Sequence, residues 1–174
     1  MRYIIALLPT NQNLFIEEAQ KQFGTNYESY LLSQNSLPHI TLGSFDLEDN
    51  NQNVIENIWQ ETKSQITALP KIRFLGFGLS RKLKIFWNVS LTVARDTQLV
   101  ELHNQVAKIL RKYNLKAVNE TGDLYRPHLT LARIKELNIT NFNDKILEPT
   151  ECNLVIGQGD INGQLLKVLY KSDI

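Results

Sequence analysis

Two stretches of this sequence repeat one phrase: "LPHITLGSF", Leu37 to Phe45, and "RPHLTLARI", Arg126 to Ile134. Both contain Pro-His-apolar-Thr-Leu, and the phrase occurs nowhere else in the chain. About half of the sequence separates the two copies, so each half contributes one. The repeat predicts two similar structural halves that present the same polar side chains.

Each copy has the residue pattern of a β-strand. Residues two apart in a strand point to the same face, so His39 projects beside Thr41 and His128 beside Thr130. The apolar residues between them go to the opposite face and pack on helices. A proline before each histidine suits the start of a strand. We therefore expect two strands that each present an imidazole next to a hydroxyl.

The rest of the chain alternates helical and strand patterns. Helical spacing of apolar residues predicts helices over 13–23, 51–66 and 96–113. Short apolar or alternating runs predict strands over 3–8, 39–45, 71–79, 84–93, 128–134, 152–157 and 165–172. Strand pairs between helices favour an α+β fold with antiparallel pairing. We expect one bilobal domain over 1–174, with two pseudo-twofold-related halves whose sheets line a central cleft and whose helices lie outside.

Composition excludes several classes of protein. The 174 residues are 43% hydrophobic and carry 19 Lys and Arg against 18 Asp and Glu, an ordinary globular balance without the bulk positive charge of many nucleic-acid-binding proteins. The single cysteine, Cys152, lies in an apolar run and predicts a buried core residue. The apolar N-terminal run is too short for a signal peptide or a membrane span. We expect a monomeric, cytoplasmic protein with no membrane partner.

Two histidines facing each other across a cleft suit phosphoryl transfer. Histidine can act as base or acid near neutral pH, so one imidazole can deprotonate the attacking hydroxyl while the other protonates the departing oxygen. Two threonine hydroxyls can donate to the non-bridging phosphate oxygens. A lone His-x-Thr would more simply be a partly buried pair without a special role, but duplication favours the catalytic interpretation.

Other chemistries find less support in the sequence. The chain has three histidines, and the third, His103, falls in the middle of a predicted helix, where a structural or surface role is expected. No clustered His, Asp or Glu spacing accompanies either phrase, which argues against a metal site. No Gly-x-Ser-x-Gly elbow marks a serine hydrolase. We expect neither a metal nor a cofactor.

The paired His-apolar-Thr strands resemble the 2H phosphoesterase superfamily, which contains the RNA 2',3'-cyclic phosphodiesterases also called 2'-5' RNA ligases. The opening strand ending in Leu-Pro, the "KIFWNVSL" strand and the "LVELHNQVAKIL" helix also sit where that family has counterparts. The resemblance covers nearly the whole chain. It implies a bilobal α+β fold, no metal, and RNA termini or small nucleotides as substrates.

The resemblance also implies roles for particular residues. The catalytic histidines of the family fall on His39 and His128, and its phosphate-binding threonines on Thr41 and Thr130. An arginine often follows the second motif in this family, and Arg133 fits that position. A guanidinium there can bind phosphate or lie against a base. The alternative is a solvated charge, because regular alternation puts Arg133 on the face opposite Thr130.

The surroundings of the two motifs differ. Ser44 stands in the first motif where Arg133 stands in the second. Tyr3 is a candidate stacking surface for a base, with plain packing in the core as the alternative. The basic cluster "SRKLK", 80–84, either guides an RNA end or forms a solvated hairpin tip. If Arg133 lies beside His128, its charge favours neutral imidazole there, which makes His128 the base and His39 the acid.

The leading hypothesis is hydrolysis of 2',3'-cyclic phosphates on RNA ends or nucleotides to 2'-phosphates, with the reverse 2'-5' ligation as a further activity. The same side chains serve 2'-5' oligoadenylates or ADP-ribose cyclic phosphate equally well. A nucleotide-binding module without turnover is the alternative from a different class.

Overall fold

The computed structural model describes residues 1–48, 51–82, 85–137 and 142–172. Within them the α-helices are α1 Gln12–Phe23, α2 Gln52–Gln65 and α3 Thr97–Lys112. The β-strands are β1 Arg2–Pro9, β2 Tyr27–Leu31, β3 Ile40–Asp46, β4 Phe74–Lys82, β5 Phe86–Val93, β6 His128–Ile134, β7 Cys152–Gly159 and β8 Leu165–Ser172. None of these helices has the length and apolar character needed to cross a membrane.

The strands form two four-stranded sheets in which every pairing is antiparallel. The first sheet has the order β3-β1-β7-β8 and the second β2-β6-β5-β4. Each sheet contains one of the two motif strands, β3 in the first and β6 in the second. The predicted α+β class with antiparallel sheets is confirmed.

The two sheets do not follow the two halves of the sequence. Strand β2 comes from the first half but pairs with β6, while β7 and β8 come from the end of the chain and complete the first sheet. The sequence pattern did not predict this exchange of strands between the two halves. It also missed β2, a five-residue strand with three exposed residues and little apolar patterning.

The helices cover the outer faces of the sheets. α1 lies on β6 and β2, while α3 lies on β3 and contacts α2. Asp96 caps α3 by accepting a hydrogen bond from the backbone of Leu99. The stripe predicted from the sequence is buried in the main core, namely Leu99, Leu102, Val106, Ile109 and Leu110. A smaller apolar cluster lies on the other face of the first sheet, around Ile4, Ala6, Leu8, Val155 and Leu165.

Both motif strands contain a β-bulge at the same place. In β3, Thr41 and Gly43 are opposite consecutive residues of β1, so Leu42 is the extra residue. In β6, Thr130 and Ala132 are opposite consecutive residues of β5, so Leu131 is the extra one. A bulge inserts one residue and shifts the alternation of side chains beyond it. The strands therefore change face once, immediately after each threonine.

Candidate active site

The four motif side chains line a single open cleft between the two sheets. The cleft has a volume of ≈ 730 Å³, and its walls include His39, Thr41, His128 and Thr130. The structure thus brings together residues that lie half a chain apart. Each sheet contributes one imidazole and one hydroxyl, as expected from the repeated phrase.

The two imidazoles are held in the same way. Nδ1 of His39 lies 2.8 Å from the carbonyl oxygen of Leu37, and Nδ1 of His128 lies 2.8 Å from that of Arg126. A carbonyl oxygen only accepts hydrogen bonds, so each Nδ1 carries a hydrogen and donates it. The tautomer of each neutral ring is thereby fixed. Nε2 is left as the nitrogen of each histidine that can exchange a proton with a substrate.

The environments of the two histidines differ. His39 is only 6% exposed, whereas His128 is an exposed residue. Burial lowers the pKa of His39 to about 4, an effect opposed by the Leu37 carbonyl and reinforced by the nearby charge of His128. His39 is therefore neutral at pH 7. The lowered pKa argues against the prediction that His39 starts as the protonated acid, which was based on the charge of Arg133 and not on the burial of His39.

The bulge in β6 decides where Arg133 points. Simple alternation puts this side chain on the face opposite Thr130, but the extra residue Leu131 reverses the alternation between them. Arg133 therefore lines the cleft, and by the same geometry Ser44 lines it after the bulge in β3. The solvated-charge alternative is wrong, since Arg133 is only 7% exposed.

The guanidinium of Arg133 connects the two sheets at the cleft. Its Nε donates to Oδ1 of Asn88 on β5 at 2.9 Å. Its two terminal nitrogens donate to Oδ1 of Asn162 at 2.9 Å and to the carbonyl of the same residue at 2.7 Å. The centres of the Tyr30 and Phe86 rings lie 5.5 and 5.8 Å from the guanidinium carbon. A planar fork is needed to make these contacts together.

Hydrogen bonds within the turn between β7 and β8 order the residue that accepts from this guanidinium. Asp160 accepts hydrogen bonds from the backbone and side chain of Asn162 and of Gln164. Burial opposes ionisation of Asp160, but these hydrogen bonds prevail and lower the pKa of its carboxyl. Gly163 has φ +81°, the left-handed region that suits glycine. The sequence indicated a turn here but gave no sign of its partner on the other sheet.

We expect Arg133→Lys to lower the free energy of unfolding by about 1.5–3 kcal/mol, because one ammonium cannot replace three hydrogen bonds of a charged fork. A double-mutant cycle with Asn162→Ala, followed by urea unfolding, measures the coupling. A coupling energy near zero would show that the link between the sheets contributes nothing. Leu166→Ala, at a 43% exposed residue outside the contact, is the matched control.

The polar side chains of β5 were not predicted from the sequence. Asn88, Ser90 and Thr92 line the cleft and lie opposite Arg133, Thr130 and His128 in the register of the sheet. Their alternation with apolar residues in "NVSLT" was the signal that could have identified them. They extend the polar floor of the cleft beside the second motif.

Tyr3 is not part of the cleft. Its side chain is 0% exposed and stacks on Phe45 with 5.6 Å between the ring centres. The prediction that it offers a stacking surface to a base is therefore wrong. Tyr3 lies on the apolar strand β1, opposite Phe45 of β3, and its ring therefore packs in the core.

The basic cluster predicted at 80–84 is described in part. Ser80 and Arg81 line an extension of the cleft beyond His128, and the guanidinium of Arg81 lies 5.5 Å from the centre of the Trp87 ring. Leu83, Lys84 and the side chain of Lys82 lie outside the described residues. Among the residues described, no three His, Cys, Asp or Glu side chains are grouped so as to hold a metal ion.

Comparisons with known proteins show similarities of sequence and of fold. The family model of the 2'-5' RNA ligase superfamily matches residues 8–153. The fold is similar to E. coli LigT complexed with phosphate, at 14% identity and a TM-score of 0.61, covering 99% of this chain and 96% of that one. It is also similar to the MHV ns2 PDE domain, at 16% identity and a TM-score of 0.54, covering 90% and 98%.

A third similar structure is described as a phosphoesterase, with 13% identity, a TM-score of 0.59 and coverage of 99% and 97%. A search of curated proteins finds no significant match. The structures share the fold at low identity, whereas the family model matches most of the sequence directly. The chain therefore belongs to the 2'-5' RNA ligase superfamily of 2H phosphoesterases.

Proposed function

We propose that this protein is a metal-independent phosphodiesterase that opens 2',3'-cyclic phosphates on RNA ends or nucleotides to 2'-phosphates. The observation that carries the proposal is the pair of imidazoles in one cleft, each fixed through Nδ1 to a backbone carbonyl two residues earlier. Each imidazole has a threonine hydroxyl beside it. Acid–base catalysis on a phosphodiester uses one base and one acid, and the two imidazoles can supply both.

His39 acts as the base in this scheme, because its lowered pKa keeps it neutral at pH 7. Its Nε2 accepts a proton from water while the water oxygen forms a bond to phosphorus. The bond from phosphorus to the 3' oxygen breaks, and His128 gives a proton to that oxygen. In-line displacement places the entering and departing oxygens on opposite sides of phosphorus, which suits one histidine from each sheet.

The remaining cleft residues act on the phosphate. Thr41 and Thr130 donate hydrogen bonds to its non-bridging oxygens, whose charge must be held in the transition state. Arg133 adds positive charge at the same wall. Structures of E. coli LigT hold phosphate, 3'-AMP and NADP+, which supports a ligand of the nucleotide class.

The proposal is tested by measuring turnover of 2',3'-cyclic nucleotides, 2'-5' dinucleotides and ADP-ribose cyclic phosphate side by side in EDTA. We expect 2',3'-cyclic nucleotides to give 2'-phosphates at a rate that the chelator does not change. Loss of activity in EDTA would contradict the metal-independent scheme. Faster turnover of one of the other two substrates would replace the proposed one, and binding without turnover would leave a nucleotide-binding module.

A further inference from the structure

The two motif strands occupy different positions in their sheets. Strand β6 is internal in the second sheet, whereas β3 is the edge strand of the first. In β6 the carbonyl of the bulged residue Leu131 accepts a hydrogen bond from the backbone of Leu32 at 3.1 Å. The corresponding residue of β3 is Leu42, and none of the described strands lies beyond it. Its buried carbonyl needs another donor.

Two side chains supply the missing donors at β3. Nδ1 of His103 on α3 lies 2.7 Å from the carbonyl of Leu42, so it carries a hydrogen and donates it. The hydroxyl of Tyr125 donates to the carbonyl of Thr41 at 2.9 Å. The two rings stack on each other, with centres 3.8 Å apart and an angle of 3° between their planes. The stacked rings of His103 and Tyr125 thus donate one hydrogen bond to each of the two carbonyls at the bulge.

Neighbouring contacts keep the same edge closed. Ser44 receives a backbone hydrogen bond from Val118 at 2.8 Å, and its own N–H donates to Oδ1 of Asn119 at 2.8 Å. Helix α3 approaches the bulge so closely that a Cβ added to Gly43 would lie 2.6 Å from Cγ1 of Val106. Hydrogen bonds and close packing therefore fix the backbone of the first motif along the outer edge of β3.

Packing alone does not account for a histidine at this position. His103 is 0% exposed, and its Nε2 is buried without a hydrogen-bond partner among the described residues. An aliphatic side chain would fill the same space without this cost. The hydrogen bond to Leu42 is what the imidazole adds. The surface position considered from the sequence is wrong, because α3 turns this residue onto β3.

We propose that His103 and Tyr125 are positioning residues for the first motif. They fix the β3 bulge and thereby the direction in which Thr41 presents its hydroxyl to the phosphate. Tyr125 borders the extension of the cleft, but its hydroxyl donates its hydrogen bond to the Thr41 carbonyl and not into the cleft. This role rests on the proposed phosphodiesterase function for its effect on rate, while the structural contact stands apart from it.

The kinetic test compares Tyr125→Phe, His103→Leu and His103→Asn with the unchanged protein on a 2',3'-cyclic nucleotide. We expect Tyr125→Phe and His103→Leu to lower kcat about 10- to 100-fold with little change in KM, because a displaced donor fails mainly in the transition state. His103→Asn keeps a donor close to the position of Nδ1 and should recover most of the rate. Equal losses in both His103 variants would overturn the proposal.

A second comparison separates positioning from general destabilisation. Leu102→Ala opens a cavity in the same helix, at a 6% exposed residue, and should lower Tm while leaving kcat at 25 °C unchanged. In a Thr41→Ala background, Tyr125→Phe should cost almost nothing further, because its effect passes through Thr41. Full additivity of the two losses would contradict the positioning role.

Hydrogen exchange tests the contact without any reaction. In Tyr125→Phe and His103→Leu the amides of 40–45 should exchange faster while those of 128–134 are unchanged. Unchanged exchange at 40–45 would refute the proposal whether or not the protein is active. If the unchanged protein hydrolyses no cyclic phosphate, the proposed function fails, and the exchange experiment alone decides the structural claim.

Discussion

Replacing either His39 or His128 by alanine is expected to lower kcat for a 2',3'-cyclic nucleotide by about 10²–10⁴-fold, because each supplies one proton transfer. Both side chains line the cleft, so the variants should remain folded. Steady-state kinetics measure the loss, and circular dichroism checks the fold. An alanine variant of either histidine with full activity would end the two-histidine scheme.

A substrate with a good leaving group distinguishes the two histidines. A nitrophenyl phosphodiester of a nucleotide releases nitrophenolate, which needs no protonation. With it, His128→Ala should regain much of its lost rate, since only the acid has become dispensable. His39→Ala should stay slow because the attacking water still needs a base. Recovery of the His39 variant instead would reverse the roles that we derive from the burial of His39.

The second large effect is a loss of stability in acid caused by His39. Its pKa is about 4 in the folded protein against an ordinary value of 6.5. Between these values the unfolded chain binds a proton that the folded chain does not, so stability falls as pH falls. The difference in pKa corresponds to about 3 kcal/mol, present in full above pH 6.5 and lost by pH 4. His103 acts in the same direction, since burial lowers its pKa too.

Urea unfolding of the unchanged protein and of His39→Gln at several pH values between 7 and 4 measures this effect. The glutamine variant should show a slope shallower by about one proton, or about 1.4 kcal/mol per pH unit. Leu102→Ala is the matched control, expected to lower stability equally at every pH. Identical slopes for His39→Gln and the unchanged protein would show that burial does not depress this pKa.

The helices and most strands could be predicted because their signals are local. α3 shows this best: its apolar stripe lies within one short segment and is buried as expected. The short strand β2 escaped prediction because its place depends on pairing with β6, far away in the sequence. The interleaving of the two sheets escaped prediction for the same reason.

The sequence by itself determined that His39 lies beside Thr41 and His128 beside Thr130 on two strands, because strand alternation follows from backbone geometry over a few residues. Only the tertiary structure decided that Arg133 enters the cleft, that Tyr3 does not, and that His39 is neutral. The first depends on a bulge set by the register with β5. The positions of Tyr3 outside the cleft and of His39 as a neutral group both depend on how deeply each side chain is buried. That burial is set by contacts between residues distant in the chain.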